Sequence, residues 1–515
     1  MNDTLGRVLA ETAARCPEQE ATVFEGQRLT WREINERTDR LALALLEMQV
    51  QPGDRVGILS NNRPEYLIVY LAVARVGAIL VGFNINYTAR EIKQYAELVR
   101  PVAMIIQGDM DVAVQLEPTV ESLPSVAHFL SIGPRVPSTA QDLHEVMAHP
   151  RPHLAGELTR RSEAVQPDDG ALIVFTGGTT GIPKPALLTH RNIIANIAAQ
   201  NRHVDFRQGD RIMSHMPMNH VSGLLLITTG ALMAGAALIQ TQRFHPEETL
   251  RLVQEEKITI LGQVPTMWIM ELLLPTYADF DLSTLRTTIV AGAPTPDRVM
   301  RQIAAVAPRS VHGYGLTEVG GMVAYNRDGE GVDVMLHGVG QGAEEFELRV
   351  VDEAGEALPA GEIGEILVRG ACVMPGYFGD APDGATQISP DGWLHTGDLG
   401  TLDARGYLTI TGRSKDMFIS GGYNVYPWEV ESYVNTHPDV IMCANVGVPD
   451  GVMGEVGVLF VQVHPGADLS GRTLRNFCRQ GLARYKVPRT IQFLDALPLT
   501  GVGKVDKGAL LGVGG

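Results

Sequence analysis

The chain has 515 residues, a formal net charge of −17 at pH 7 and an isoelectric point near 5.3. That length exceeds what one hydrophobic core fills, so at least two domains are expected. The acidity, with no clustered Lys and Arg recognised, argues against a nucleic-acid binder and for small, diffusing partners. Four cysteines (Cys16, Cys372, Cys443, Cys478) lie far apart without metal-ligand spacing and read as buried or free thiols of a reducing compartment. No secretory signal, no apolar run of membrane-spanning length and no lipidation signal in the terminal GVGG are found, so a cytoplasmic, bacterial setting is expected.

In chain order, Thr30 and Glu33 form a capping-box pair ahead of a helix over 30–48, with Ile34, Leu41, Leu45 and Met48 on one face. GDRVGILS (53–60) reads as a buried strand, EYLIVYLAVARVG (65–77) as a helix and AILVGFN (78–84) as the next strand. Further short apolar runs at 102–107, 211–218, 258–265 and 287–292 continue a strand–helix alternation, which predicts a parallel α/β sheet.

Residues 175–190, FTGGTTGIPKPALLTH, follow the apparent strand ALIVF (171–175) and precede a helical pattern from Thr189. Gly- and Thr-rich backbone turns inward around phosphate oxygens, and Lys184 adds positive charge. The spacing is not that of the Walker loop. From about 340 the pattern changes to hairpins, with Gly355 at one turn. The charged GRSKD (412–416) marks a boundary to a final α+β module.

Four later motifs carry chemistry. GYGLTE (313–318) offers Tyr314 for stacking on a heterocycle, and Glu318 for a divalent cation. GWLHTGDLG (392–400) places Asp398 at an expected turn after a strand, as an acceptor for ribose hydroxyls. GRSKDMFISGGYNVYPWEVE (412–431) supplies Arg413 and a Gly421-Gly422 pair past which a ligand chain can run. LTGVGKVDK (499–507) presents Lys504 in a glycine-flanked, mobile tail.

In type, order and separation these segments resemble the adenylate-forming superfamily of acyl-CoA synthetases, fatty-acid-CoA ligases, firefly luciferase and peptide-synthetase adenylation domains, over essentially the whole chain. The resemblance implies an α/β fold with a large N-terminal domain (1–412, β-rich from about 340 to 412) and a small mobile α+β C-terminal domain (413–515). It also implies a two-step reaction. A carboxylate attacks the α-phosphate of ATP to give acyl-AMP and pyrophosphate, and a thiol, most simply that of CoA, then takes the acyl group.

Position by position, the resemblance assigns Thr176, Gly177, Gly178, Thr179, Thr180, Gly181 and Lys184 to the phosphate loop, and Thr180 with Glu318 to Mg²⁺. Tyr314 falls on the adenine, Thr317 among the cofactor-binding residues, and Asp398 with Arg413 on the ribose. Lys504 takes the place of the adenylating lysine, Lys415 that of the hinge, and Gly421-Gly422 that of the loop which replaces Lys504 in the second step. His220 takes the place of a gate to the acyl pocket, and Gly223, Ala291, Gly292, Ala293, Gly313, Gly320, Gly321 and Met322 surround that pocket. Their small or apolar character implies a roomy site for a bulky apolar acid: medium or long-chain, aryl, terpenoid or polyketide. MNHVSG lacks the aspartate that holds an amino-acid ammonium.

Two positions depart from the family pattern. Gly177 lacks a hydroxyl that would contact a phosphate, a loss of about 1–3 kcal/mol where that contact acts in the transition state. Pro185 stands where Gly is usual and removes a backbone N–H at the loop exit. The alternatives are therefore a ligase that only thioesterifies acyl-AMP from an adenylating partner, one that loads a carrier protein, a luciferase-like oxygenase, or a non-catalytic nucleotide- or acyl-AMP-binding protein. A homodimer is compatible with all of them.

Overall fold

The computed structural model describes residues 3–111, 123–176, 184–379 and 387–513. The fold is α/β, with large N-terminal sheets and a small C-terminal domain. Its contacts divide it into two units, Met1–Leu261 with Gly315–Val323 and Gly370–Gln387, and Gly262–Tyr314 with Ala324–Arg369 and Ile388–Gly515.

The first unit contains an eight-stranded sheet in the order Gly376–Tyr377, Lys184–Thr189, Gly170–Thr176, Ile79–Gly82, Arg55–Leu59, Ala103–Gln107, His128–Ile132 and Gln141–Asp142. The strands are parallel from Gly170–Thr176 onward, as alternation with helices dictates. Their apolar runs are buried: Leu59, Val81, Phe83, Met104, Ile106 and Ile173 pack with Ile92, Ala96 and Val99 of the helix Ala89–Val99. The helix Trp31–Glu47 starts on the expected capping box, Thr30 accepting from the Glu33 amide while the Glu33 carboxylate accepts from the Thr30 amide. Pro64–Arg75 is buried on every face, which explains an apolar pattern with no polar stripe. A second ladder in this unit pairs Arg211–Ser214 with Ala237–Gln240, and the latter with Glu20–Phe24. The strand expected over 211–218 ends at Ser214, because the chain turns at Pro217 and the His220 amide donates to its carbonyl.

In the second unit the parallel pair Thr287–Ala291 and Arg309–Leu316 sets Ala291 opposite Gly313. The hairpin texture from about 340 becomes an antiparallel ladder of Gly340–Gly342, Tyr407–Arg413, Leu394–Leu402, Gly364–Arg369 and Glu347–Val351. The last hundred residues build a separate sheet from Phe418–Ser420, Tyr423–Val425, Val440–Asp450, Gly454–Val463 and Thr490–Phe493. The helices Pro427–Val434 and Gly471–Gly481 close it over Phe418, Val430, Leu459, Val461, Leu474 and Cys478. All four cysteines are buried and free. Among the described residues no helix is long and apolar enough to cross a membrane.

Candidate active site

Thr176 and Lys184 face each other on the last rung of an antiparallel hairpin, and Thr176 Oγ1 donates to the Lys184 carbonyl at 3.4 Å. The Gly/Thr-rich loop therefore joins two strands. The expectation that it leads from strand to helix is corrected: KPALLT forms the strand Lys184–Thr189, and only then does Thr189 cap the helix His190–Val204. Gly177, Gly178, Thr179, Thr180 and Gly181 lie outside the described residues. Pro185 sits within this strand, opposite Phe175. Its carbonyl accepts from the Phe378 amide at 2.8 Å, so its missing N–H deprives Phe378 of one rung and leaves the Phe175 side intact.

Glu318 lies half-buried in the same unit on the short 3₁₀ turn Thr317–Val319, whose Thr317 is buried. Tyr377 Oη is 2.9 Å from Glu318 Oε1 and 2.6 Å from Gln387 Oε1. One phenolic proton cannot serve two oxygens, so Tyr377 donates to Glu318 while the Gln387 amide turns its NH₂ toward the phenol. Burial and the Glu318 charge both push the Tyr377 phenol far up, keeping it a donor. Lys184 Nζ lies 5.4 Å from the Tyr377 ring centroid, bringing its charge beside the carboxylate-bearing turn. The helix His190–Val204 holds this turn from behind: Asn196 Nδ2 donates to the Val319 and Met322 carbonyls, both at 2.9 Å, and Asn192 Nδ2 to those of Ala371 and Val373.

Asp398, Tyr314, Arg413 and Lys504 come together in the second unit. Asp398 is buried; Tyr314 Oη donates to its Oδ2 at 2.7 Å, and Arg413 Nε lies 3.1 Å from its Oδ1. The expected turn at Asp398 is corrected to a strand position within Leu394–Leu402. Gly397 with φ +71° and a register shift after Leu399 bend the strand there, which is the turn chemistry visible in TGD. Tyr314 is buried and its phenol is pushed well up, by burial first and by the Asp398 charge second.

Lys504 is half-buried, and burial lowers its ammonium to about 8, helped by the Arg413 charge and opposed by Asp398. It does not occupy a loose tail. Thr500 N–H donates to the Lys504 carbonyl at 2.7 Å, Lys504 N–H to Thr500 Oγ1 at 3.2 Å, and Leu499 bridges Val505. A Cβ on Gly292, whose φ is +90°, would stand 3.2 Å from Lys504 Cε, so the lysine stem runs directly over that glycine.

Ser420 pairs with Tyr423, leaving Gly421 and Gly422 as a two-residue hairpin loop with φ +58° and +84°, a conformation that demands glycine. Lys415 is exposed on the single turn Ser414–Asp416 between strands.

Residues 9–378 match the AMP-binding enzyme family, and residues 429–504 match the AMP-binding enzyme C-terminal domain. The chain belongs to this adenylate-forming family. Feruloyl-CoA synthase of Amycolatopsis sp is 33% identical over 513 residues, 98% of each chain. The mitochondrial medium-chain acyl-CoA ligase of Bos taurus is 33% identical over 533 residues, 98% of this chain and 86% of the other. The anthranilate CoA ligase AuaEII, solved in complex with anthranoyl-AMP, superposes with a TM-score of 0.90 at 25% identity, covering 100% of this chain and 97% of that one. The protein is an AMP-forming acid–thiol ligase.

Several acyl-pocket expectations for this ligase change on inspection. A Cβ on Gly223 would lie 2.3 Å from the Met216 and Pro217 carbonyl oxygens, so that glycine permits close backbone packing and opens no space. Gly321 is similarly filled, by Asn196 and Leu226, each 2.5 Å from a Cβ built there. Gly320 has φ +71° and closes the Thr317–Val319 turn. Met322 is buried, Gly313 is buried on its strand, and Ala291 and Ala293 are half-buried around Gly292. His220 Nδ1 accepts from the Ser222 amide at 3.2 Å and lies 2.9 Å from Ser222 Oγ. An amide only donates, so the His220 proton sits on Nε2. The π-helix Ser222–Thr229 that follows wraps its wide turn with Thr228 and Thr229 bonded back to the Gly223 and Leu224 carbonyls.

Sequence reasoning missed Tyr377, Asn192, Asn196 and Thr266. The two asparagines, four apart in NIIAN, carried a signal, since that spacing sets both on one helical face. It also overlooked a basic run: Arg472, Arg475, Arg479, Arg484, Lys486 and Arg489 stand together with no Asp or Glu among residues 469–494.

Proposed function

We propose that this ligase activates a bulky apolar carboxylic acid with Mg²⁺-ATP and passes the acyl group to free CoA. The Asp398 clamp carries this reading. Its carboxylate is held from both sides by groups of fixed direction, Tyr314 Oη and Arg413 Nε, as a nucleoside site requires for two vicinal hydroxyls. Thr176 and Lys184 take the polyphosphate, and Tyr314 with Thr317 takes the base.

Mg²⁺ fits the donor set. Among the described residues no group of three or more metal-ligating side chains occurs, and a magnesium ion held by substrate phosphates needs only one or two protein oxygens. Glu318 supplies a half-buried carboxylate oriented by Tyr377, and Thr180 is its proposed companion. The ion supplies charge neutralisation on the phosphates.

In the first step a carboxylate oxygen of the acid attacks the α-phosphorus, the new O–P bond forms opposite the departing pyrophosphate oxygen, and no proton moves. Lys504, cationic below about 8, sits within the electrostatic reach of Asp398 and neutralises charge growing on the α-phosphate. In the second step the CoA sulfur attacks the acyl carbonyl, AMP leaves, and the thiol proton goes to solvent. For that step the segment beyond Lys415 turns so that Gly421-Gly422 replaces Lys504. His220 guards the acyl entrance.

Ala291, Ala293 and Gly313, the remaining positions that the resemblance sets around the acyl pocket, are small and uncharged, which supports an apolar acid. The basic run Arg472–Arg489 offers counter-charge to the phosphates of CoA in a chain whose formal charge is −17, which supports CoA as the thiol. Pro185, accommodated in its strand, gives no support to a ligase confined to the second step.

Mass spectrometry tests the reading by supplying CoA with a panel of aryl, medium-chain and polycyclic acids plus Mg²⁺-ATP, and in parallel CoA with the synthetic acyl-AMPs. Acyl-CoA from both arms is expected. Product from acyl-AMP alone assigns adenylation to a partner, and product from neither arm across the panel removes the ligase reading.

A further inference from the structure

Lys504 has to be presented to the adenylation site by something that lets go of it again. Beyond Thr500 of its own turn, its peptide is contacted by Thr266, at the start of the helix Pro265–Leu272. Thr266 Oγ1 donates to the Gly503 carbonyl, the acceptor of the same peptide group whose nitrogen belongs to Lys504. Gly503 is fitted to this approach: its φ is +79°, and a Cβ there would lie 3.0 Å from Val264 Cγ2 and 3.3 Å from Thr266 Oγ1. The lysine stem then passes over Gly292, where Val264 Cγ1 also lies 3.7 Å from a built Cβ. Val264, Thr266 and Gly292 thus form one seat for the turn 500–504, and Thr266 provides its hydrogen bond.

We propose that Thr266 is a positioning residue for the first half-reaction, a latch that stabilises the docked form of the Lys504 turn and contributes nothing once the turn has left. This rests on the reading of Lys504 as the adenylating lysine. A bond made in only one of two arrangements shifts the equilibrium between them by its own free energy. The Gly503 carbonyl on a departed turn is satisfied by water, while on a docked turn without the hydroxyl it is left facing carbon. Losing such a bond shifts the equilibrium constant between docked and departed forms by about tenfold. The bulk of Thr266 is separable from its hydroxyl, because valine keeps the branched shape and serine keeps the donor.

The experiment compares wild type, Thr266→Val, Thr266→Ser and Lys504→Ala in two assays: acid-dependent exchange of pyrophosphate into ATP, and acyl-CoA formation from synthetic acyl-AMP and CoA. T266V is expected to lower the exchange kcat by about tenfold with the KM for ATP little changed, to leave the second assay at the wild-type rate or above it, and T266S to restore exchange. Exchange by T266V within twofold of wild type, with K504A inactive in exchange, overturns the latch and leaves the reading of Lys504 standing. Equal losses by T266V in both assays, or a T266S variant as poor as T266V, also overturn it, because they reveal a packing role only. Undiminished exchange by K504A overturns the underlying reading.

Discussion

Asp398 and Arg413 stand directly opposite each other on two antiparallel strands, and their side chains close an ion pair across that rung at 3.1 Å. The ladder itself sets the distance between these two groups, the proposed ribose clamp, so their geometry does not depend on loop order. Asp398→Ala is expected to raise the KM for ATP by about ten- to a hundredfold, the worth of one charge-assisted hydrogen bond. Asp398→Asn keeps the volume but confronts Arg413 and Tyr314 with an amide that has one accepting oxygen, and should fall between. Initial rates against ATP concentration decide this, and an unchanged KM for both variants contradicts the assignment.

If Lys504 is the adenylating lysine, as proposed, adenylation should be pH-dependent. Burial lowers its ammonium to about 8, and in the proposed role only the cation would stabilise the transferring phosphate. The kcat/KM of the exchange reaction should therefore be flat below about 8 from this group and fall toward tenfold per pH unit above it. Lys504→Arg should abolish that alkaline limb while lowering the plateau, because a guanidinium stays charged throughout. A limb that persists in the arginine variant would assign it to another group.

Glu318→Gln retains the Tyr377 contact but removes the negative charge. Exchange of pyrophosphate should drop by roughly two to three orders of magnitude, with saturation by Mg²⁺ displaced to higher concentration, and thioesterification of supplied acyl-AMP should be largely spared. Chelation by EDTA should act on wild type in the same sense, on the first assay far more than on the second.

Three buried histidines tie stability to acidification. Burial lowers His190 to about 4, His215 to about 3 and His312 to about 4, against an ordinary value of 6.5. In each case the unfolded chain takes up a proton that the folded one refuses, so the stability these groups confer is complete above pH 6.5 and is lost as pH falls toward 4. Three such protons correspond to roughly 4 kcal/mol per pH unit where all three slopes overlap. Melting temperature followed from pH 7 to 4.5 should decline steeply, and His215→Phe should flatten the decline; a flat wild-type profile would mean that these rings take up protons as readily in the folded chain as in the unfolded one.

Much of this architecture is legible in the chain because its determinants are local. Thr30 and Glu33 announce a helix start by their spacing, and the buried helix Pro64–Arg75 by its unbroken apolar run. The Gly421-Gly422 pair, read only as a place for a ligand chain to pass, is also a tight hairpin loop, a signal present in the chain but not used. What escaped is of two kinds. KPALLT, which follows the Gly/Thr-rich loop and contains a proline, and the TGD of the strand Leu394–Leu402 carry turn signals that pairing with neighbours overrides. Contacts such as Thr266 with Gly503, 237 residues apart, or Tyr377 with Glu318, 59 apart, leave no periodic trace in one sequence. Gly223 and Gly321 mislead for a related reason: a small residue marks a close approach as readily as a cavity, and only the neighbours distinguish them.

Gly292 carries a consequence for how this scaffold can change its diet. Its φ of +90° strains any L side chain, and a Cβ there would meet the lysine stem at 3.2 Å. On the proposed reading of Lys504, a side chain introduced there would crowd the stem of the adenylating lysine. New substrate ranges should be reached through Ala291 and Ala293 on either side, leaving a fixed point between two adjustable walls.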